Sequence, residues 1–288
     1  MRVALESILV KTTMKLLLIR HLWGVTGNRE ELFPQFRELG FGGIEAALPA
    51  PSERRPLRRL LTRHKFEFIP QIFTAGTSVA AHIESFRRQV GEAAGMSPVF
   101  INAHSGLDAW SESESSRFFE AALAVEQAGG IRIAHETHRG RILFNPWITS
   151  RLLERFEPLK LCCDFSHWVC VAERLIDDQV EIIRQSAARC LHLHARVGYE
   201  QGPQVPDPRA PEYAAHLAAH ERWWRLVWDA QKKRGDRVST LTPEFGPPRY
   251  LHTLPFTNAP VSNLWDICHW QAVRQREGFA AWSVGRET

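Results

Sequence analysis

Residues 126–141 read EQAGGIRIAHETHRGR, and the change of character inside them decides the fold. Gly129 and Gly130 stop a helical stretch that opens at Ser111 with Glu114 three residues on, the pattern of a capping box. A short β-branched run follows, IRIAHET over 131–137, and it ends in polar groups. Strand, polar strand end, loop and a further helix near 146–156 make one βα unit.

The same unit recurs in both directions. Strand-like runs are expected at 16–23, 43–48, 66–73, 98–104, 131–137, 159–165, 190–197 and 238–245. Between them stand helical patterns: Asn28 to Gly40, then 53–63, 79–94, 111–129, 146–156, 170–187, 213–233 and 262–277. Pro34 inside the first marks a kink or a late start. Eight alternating units predict an α/β chain closed as a single-domain (β/α)8 TIM barrel over 14–277. No GxGxxG follows the first strand, which argues against a dinucleotide site. Residues 1–13 complete no unit and read as an N-terminal extension, and 278–288 as a C-terminal tail.

The 288 residues are 44% apolar and 24% charged, ordinary for a chain that buries a large core without staples. Thirty-six basic against 32 acidic residues leave a net charge of +4, too little to imply a nucleic-acid partner. The cysteines, at 162, 163, 170, 190 and 268, are odd in number and form no CxxC, which fits a reducing compartment and a cytoplasmic location. Cys162 and Cys163 read as buried strand residues. No run approaches the ~18 apolar residues of a membrane span, and Glu6 lies where a signal peptide would be basic.

In a (β/α)8 barrel, chemistry sits at the C-terminal strand ends. Those ends carry Arg20 and His21, Glu45, Gln71, Asn102 and His104, His135 to His138 with Arg139 and Arg141, Asp164 with His167, then His192, His194 and Arg196, and Glu244. Period-two alternation puts Glu136 and His138 on one face, and His192, His194 and Arg196 on one face. Four adjacent strands thus offer Glu136, Asp164, His194 and Glu244 to one mouth. Three carboxylates and an imidazole suit one divalent ion, Mn²⁺ or Mg²⁺ first and Co²⁺ or Zn²⁺ next. Without a cation, that crowding would raise at least one pKa sharply. Any one of the four alone is as readily structural as functional. His64, His82, His216, His220 and His269 fall on helices or their edges and receive no role. Glu45, in strand two, reads more readily as a surface or loop acid than as a ligand contact, and His135 and His192 as readily as hydrogen-bonded members of the barrel wall as residues of the mouth. Trp23, Trp110 and Trp168 follow strand ends and are candidates to wall a polar pocket.

HETH at 135–138, DFSH at 164–167, HLH at 192–194 and PEF at 243–245, in that order, resemble the xylose isomerase-like barrels. The resemblance is to the sugar isomerases and epimerases of the tagatose epimerase and hydroxypyruvate isomerase kind, and it covers about residues 14 to 277. It implies that Glu136, Asp164, His194 and Glu244 bind one divalent metal, and that Glu136 and Glu244 also move the substrate proton. His167 then contacts substrate, with His104 and His138 beside it, while Arg141 and Arg196 suit either of two roles, to orient hydroxyls or a terminal anionic group or to pair with Glu136 or Asp164. The implied activity is aldose–ketose isomerisation or ketose 3-epimerisation of a sugar or small hydroxy-keto compound through a metal-stabilised enediolate. Ile142 stands where the epimerases carry a substrate-binding Glu, and Glu200 where they carry an Arg, so substrate and reaction type stay open. A nuclease resembling endonuclease IV is the rival from another class. It needs Asp-x-His on strand seven, where this chain has His192 and His194, and a His within 168–191, where there is none. A catalytically silent binding protein on the same fold is the second rival. The partner expected is a small molecule, with neither nucleic acid nor membrane, and a homo-oligomer is compatible with the sequence.

Overall fold

The computed structural model describes residues 14–284. Eight strands, β1 (Lys15–His21), β2 (Gly43–Ala47), β3 (Glu67–Phe73), β4 (Ile101–His104), β5 (Ile133–Glu136), β6 (Leu161–Cys163), β7 (Cys190–His194) and β8 (Val238–Thr242), pair in parallel, each with the next. β8 returns to β1 through Lys15↔Val238 to Leu18↔Leu241, which closes the barrel. The chain is a (β/α)8 barrel in one domain. Parallel neighbours need long crossovers, and the helical stretches between strands supply them.

Alternation along the strands divides the core in two. Ile19, Ile69, Phe100, Ala134 and Cys162 meet inside the barrel and plug its lower half. Two residues further along the same inward faces come Glu136 and Asp164, which puts the polar layer directly above the plug. Residues on the other faces, among them Ile44, Phe68, Ile72, Ile101, Ile133 and Leu161, pack against the helices in a larger outer core.

The helices begin where their caps lie. Asn28 accepts from the Glu30 amide and opens α1 (Arg29–Glu38), so Pro34 lies inside that helix and not at its start. α2 (Pro51–Arg63) starts two residues before the expected 53, with Pro51 in its first turn. α3 (Val79–Ala94) and α5 (Pro146–Arg155) are capped by Ser78 and Asn145. Ser111 and Glu114 form the expected reciprocal capping box on α4 (Glu112–Gly129), which Gly130 closes in left-handed backbone, φ +62°. α8 (Ala214–Arg234) follows the long loop after β7.

Two boundaries differ from the sequence reading. The single helix expected at 170–187 is two, α6 (Phe165–Ala172) and α7 (Val180–Ala187), with a short 3-10 turn at Asp177–Gln179 between them. Asp164 caps α6 directly from the end of β6, and Glu173 ends it at φ +51°. The last helix, α9 (Leu264–Val284), does not stop at 277, so residues 278–284 are helical and not tail. The extension expected at 1–13 lies outside the described residues. No helix among the described residues is long and apolar enough to cross a membrane.

Candidate metal centre and substrate cavity

Asp164 is placed by the start of α6. Its Oδ1 accepts from the Ser166 amide at 3.0 Å and from the Ser166 hydroxyl, so the carboxylate is a helix cap as well as a strand end. That leaves Oδ2, which lies 3.9 Å from His194 Nδ1. His194 Nδ1 lies 3.8 Å from Glu136 Oε2 and 2.9 Å from Glu244 Oε2. One ligand atom from each of Glu136, Asp164, His194 and Glu244 falls within 4.8 Å of the others, and all four residues are buried. His194 Nδ1 and Glu244 Oε2 make no hydrogen bond despite burial. Three carboxylates and an imidazole nitrogen converging on one buried point, with no aligned hydrogen bond between the two closest atoms, are what a cation cradle presents, so this donor set fits a hard or borderline divalent ion.

The charges reflect the same crowding. Burial pushes the Asp164 carboxyl up to about 6; Arg196 opposes this and Glu244 adds to it. Burial also weighs against ionising Glu244, but His194 and Arg196 outweigh it and bring the group down to about 2. His104 and His194 do the same for Glu136, which stays well below the usual carboxylate range. Both glutamates are therefore ionised at neutral pH.

Arg196 occupies the flank of the centre. Its Nη2 is 2.5 Å from Asp164 Oδ2, 2.5 Å from His167 Nε2 and 3.6 Å from Glu244 Oε2, and its Nε donates to Ser166 Oγ at 3.1 Å. His167 thus accepts with Nε2 and carries its proton on Nδ1. Burial, then His138 and Arg196, hold its pKa well below 6.5. It is fully enclosed, with the His138 ring 3.8 Å from its own, so it stands behind the wall of the cavity and not in it.

The cavity itself, of about 650 Å³, opens over this centre. Glu136, Glu244, His104, His138, Arg141 and Arg196 line it, joined by His21, Trp23, Gln71, Phe73 and Tyr250. His104 Nε2 is 2.9 Å from Glu136 Oε2. His138 donates from Nδ1 to the Arg139 carbonyl at 2.5 Å, and burial with the His104 charge takes its pKa down to about 3. Trp23 walls the cavity edge-on to Tyr250 and lies against Gly246, where a Cβ would come 2.3 Å from its ring. Trp110 and Trp168 do not reach the cavity. Trp110 packs on His82, and Trp168 is buried, donating to the Leu143 carbonyl.

Glu45 lies in strand two as expected, but the surface or loop position weighed for it is not where the structure puts it. It is neither a surface nor a loop acid but a fully buried residue of β2, facing into the barrel beneath the centre. Its carboxylate accepts from Asn102 Nδ2 at 3.1 Å and Thr242 Oγ1 at 2.5 Å, and meets His192 Nε2 at 3.2 Å. Both its oxygens lie 3.1 Å from His194 Nε2. Asn102 also donates to Glu136 Oε2 at 2.7 Å, so one amide ties the buried carboxylate to one in the site. Inward alternation from Gly43 was the available signal. His192 is a wall residue as expected, bonded to Thr240 and Thr242, and so is His135, bonded to Ser105 and Glu126.

Solved structures to which this fold is similar include 3-keto-D-glucoside 4-epimerase from E. coli, at 10% identity and TM-score 0.60, over 92% of this chain and 99% of that one. A probable 3-DHS dehydratase from Bacillus anthracis matches at 14% and 0.56, over 91% and 98%. An AP endonuclease of family 2 from Brucella melitensis matches at 14% and 0.56, over 90% and 98%. Each of these likenesses spans nearly the whole of both chains, and what it shows is the fold, a (β/α)8 barrel. No protein-family model and no curated protein matches its sequence. At such identities the likeness of this barrel to others is one of fold, and its chemistry rests on its own side chains.

Proposed function

We propose that the chain is a divalent-metal-dependent isomerase or epimerase of a sugar or small hydroxy-keto compound. The observation that carries this reading is the pair Glu136 and Glu244. Both are ionised, both line the cavity, and both stand within reach of one cation cradle completed by Asp164 and His194. A divalent ion there would polarise a substrate carbonyl and offset the enediolate charge. Either Glu136 or Glu244 takes the proton from the carbon α to the carbonyl. The other returns it from the opposite face in an epimerisation, or a single carboxylate shuttles it in an isomerisation. Asn102 and His104 hold Glu136 in place, and Arg196 does so for Glu244. Trp23 and Tyr250 narrow the mouth and limit water around the reacting carbons.

The rival nuclease reading wants a third ion near strand seven. His192, the first member of that pair, is instead engaged with Glu45 and Thr242 inside the barrel. Elemental analysis of untagged protein discriminates: one ion per chain supports the isomerase, three zinc ions the nuclease, and none a binding protein. The direct test is incubation with ketoses, aldoses, inososes and hydroxypyruvate in D₂O with Mn²⁺. Deuterium should enter beside the carbonyl of at least one substrate, and absence of exchange across the set overturns the assignment.

A further inference from the structure

Arg141 stands apart from the other cations of the cavity. Arg196 is spent on Asp164, whereas Arg141 forms no close ion pair among the described residues, Glu136 and Asp108 acting on it only from further off. Its Nη1 donates to two backbone carbonyls, those of Thr74 at 3.1 Å and Gly106 at 3.2 Å. These lie on the loops after β3 and β4, and Thr74 Oγ1 in turn accepts from the Gly106 amide at 2.8 Å. Gly106 has φ +59°, and a Cβ there would come 2.5 Å from Ile142 and Trp110, so the loop fits only with glycine. The guanidinium is therefore held rigidly by one nitrogen. Both hydrogens of Nη1 are used, the Nε–Nη2 edge, the side that meets an oxyanion with two parallel bonds, makes no hydrogen bond among the described residues, and the side chain lines the cavity. Burial weighs against the charge of Arg141, and Glu136 and Asp108 offset only part of that from a distance.

We propose that the substrate carries an anionic group, a carboxylate or a phosphate, seated on the Nε–Nη2 edge of Arg141 while its carbonyl end lies at the Glu136–Glu244 centre. This deepens the function proposed above and rests on it for the reacting end alone. The anion seat is built from Arg141, Thr74 and Gly106 without any metal ligand.

Titration calorimetry with three probes tests it: dihydroxyacetone as the neutral frame, hydroxypyruvate as the carboxylate and dihydroxyacetone phosphate as the phosphate. Each is measured with and without Mn²⁺, so that chelation of the ion by an anion is separated from the seat. In metal-free wild type, at least one anionic probe should bind about 10- to 100-fold more tightly than the neutral one. The stronger of the two identifies the group. Arg141→Gln should remove this preference, and Arg141→Lys should restore part of it. Equal binding of all three probes to wild type overturns the proposal without recourse to any variant, as does a preference that survives Arg141→Gln. A preference lost in Arg141→Gln in a protein that exchanges no substrate proton keeps the seat and sinks the isomerase. Turnover of neutral sugars with no anion preference does the reverse.

Discussion

Both carboxylate oxygens of Glu45 lie 3.1 Å from Nε2 of His194, which commits that nitrogen and turns Nδ1 toward Glu244, Glu136 and Asp164. A carboxylate behind a metal-facing imidazole fixes its tautomer and raises its donor strength. Glu45→Gln should therefore weaken Mn²⁺ affinity about 10- to 100-fold, read by calorimetry, with the fold kept. Unchanged affinity would remove Glu45 from any part in the centre.

Glu136→Gln and Glu244→Gln keep the shape of each side chain but cannot accept a proton. Each should lower turnover by about 10²- to 10⁴-fold with an unaltered circular dichroism spectrum. Near wild-type turnover in either variant would show that residue is no essential base.

His220 offers a pH prediction away from the cavity. Its Nδ1 donates to the His216 carbonyl at 2.8 Å, and its Nε2 accepts from the Gly198 amide at 3.2 Å, so the neutral ring is fully used. Burial lowers its pKa from 6.5 to about 4. Between those values the unfolded chain binds more protons than the folded one. This contribution is whole above pH 6.5 and declines toward pH 4, by up to about 3 kcal/mol. Urea melts at several pH values should show a flatter acid limb in His220→Gln, and an identical limb would contradict the assignment.

β1 closes the barrel from Lys15 onward, whose amide bonds the Arg237 carbonyl at 2.9 Å. We propose that a chain beginning at Met14 is complete for folding. It should express, bind metal and melt within a few degrees of the full length. Insolubility or a much lower melting temperature would place residues 1–13 in the core.

The barrel was legible because each strand is a short apolar run and Asn28, Ser111, Gly40 and Gly130 punctuate the helices between them. Glu136, Asp164, His194 and Glu244 stood out as polar breaks at the ends of such runs. Glu45 was visible in its strand but its burial was not, because Gly43, Ala46 and Ala47 around it are too small to announce which face is inward. The break after Ala172 was hidden for a different reason: ERLIDDQVEII keeps helical spacing, and only the left-handed backbone at Glu173 interrupts it. Tyr250 sits in the irregular segment after β8, where no periodicity reports what faces the cavity.

The cap that Asp164 makes on α6 changes how its presence should be weighed. A barrel that had drifted out of catalysis would still be selected to keep Asp at 164, since losing the cap costs about 1 kcal/mol of stability. Glu244 has no such second employment: it caps no helix, and its Oε2 meets only residues of the centre and its flank, His194 Nδ1 at 2.9 Å and Arg196 Nη2 at 3.6 Å. Among descendants of this chain, then, loss of Glu244 should come first and Asp164 last, and the residue at 244 is the one that dates the end of activity.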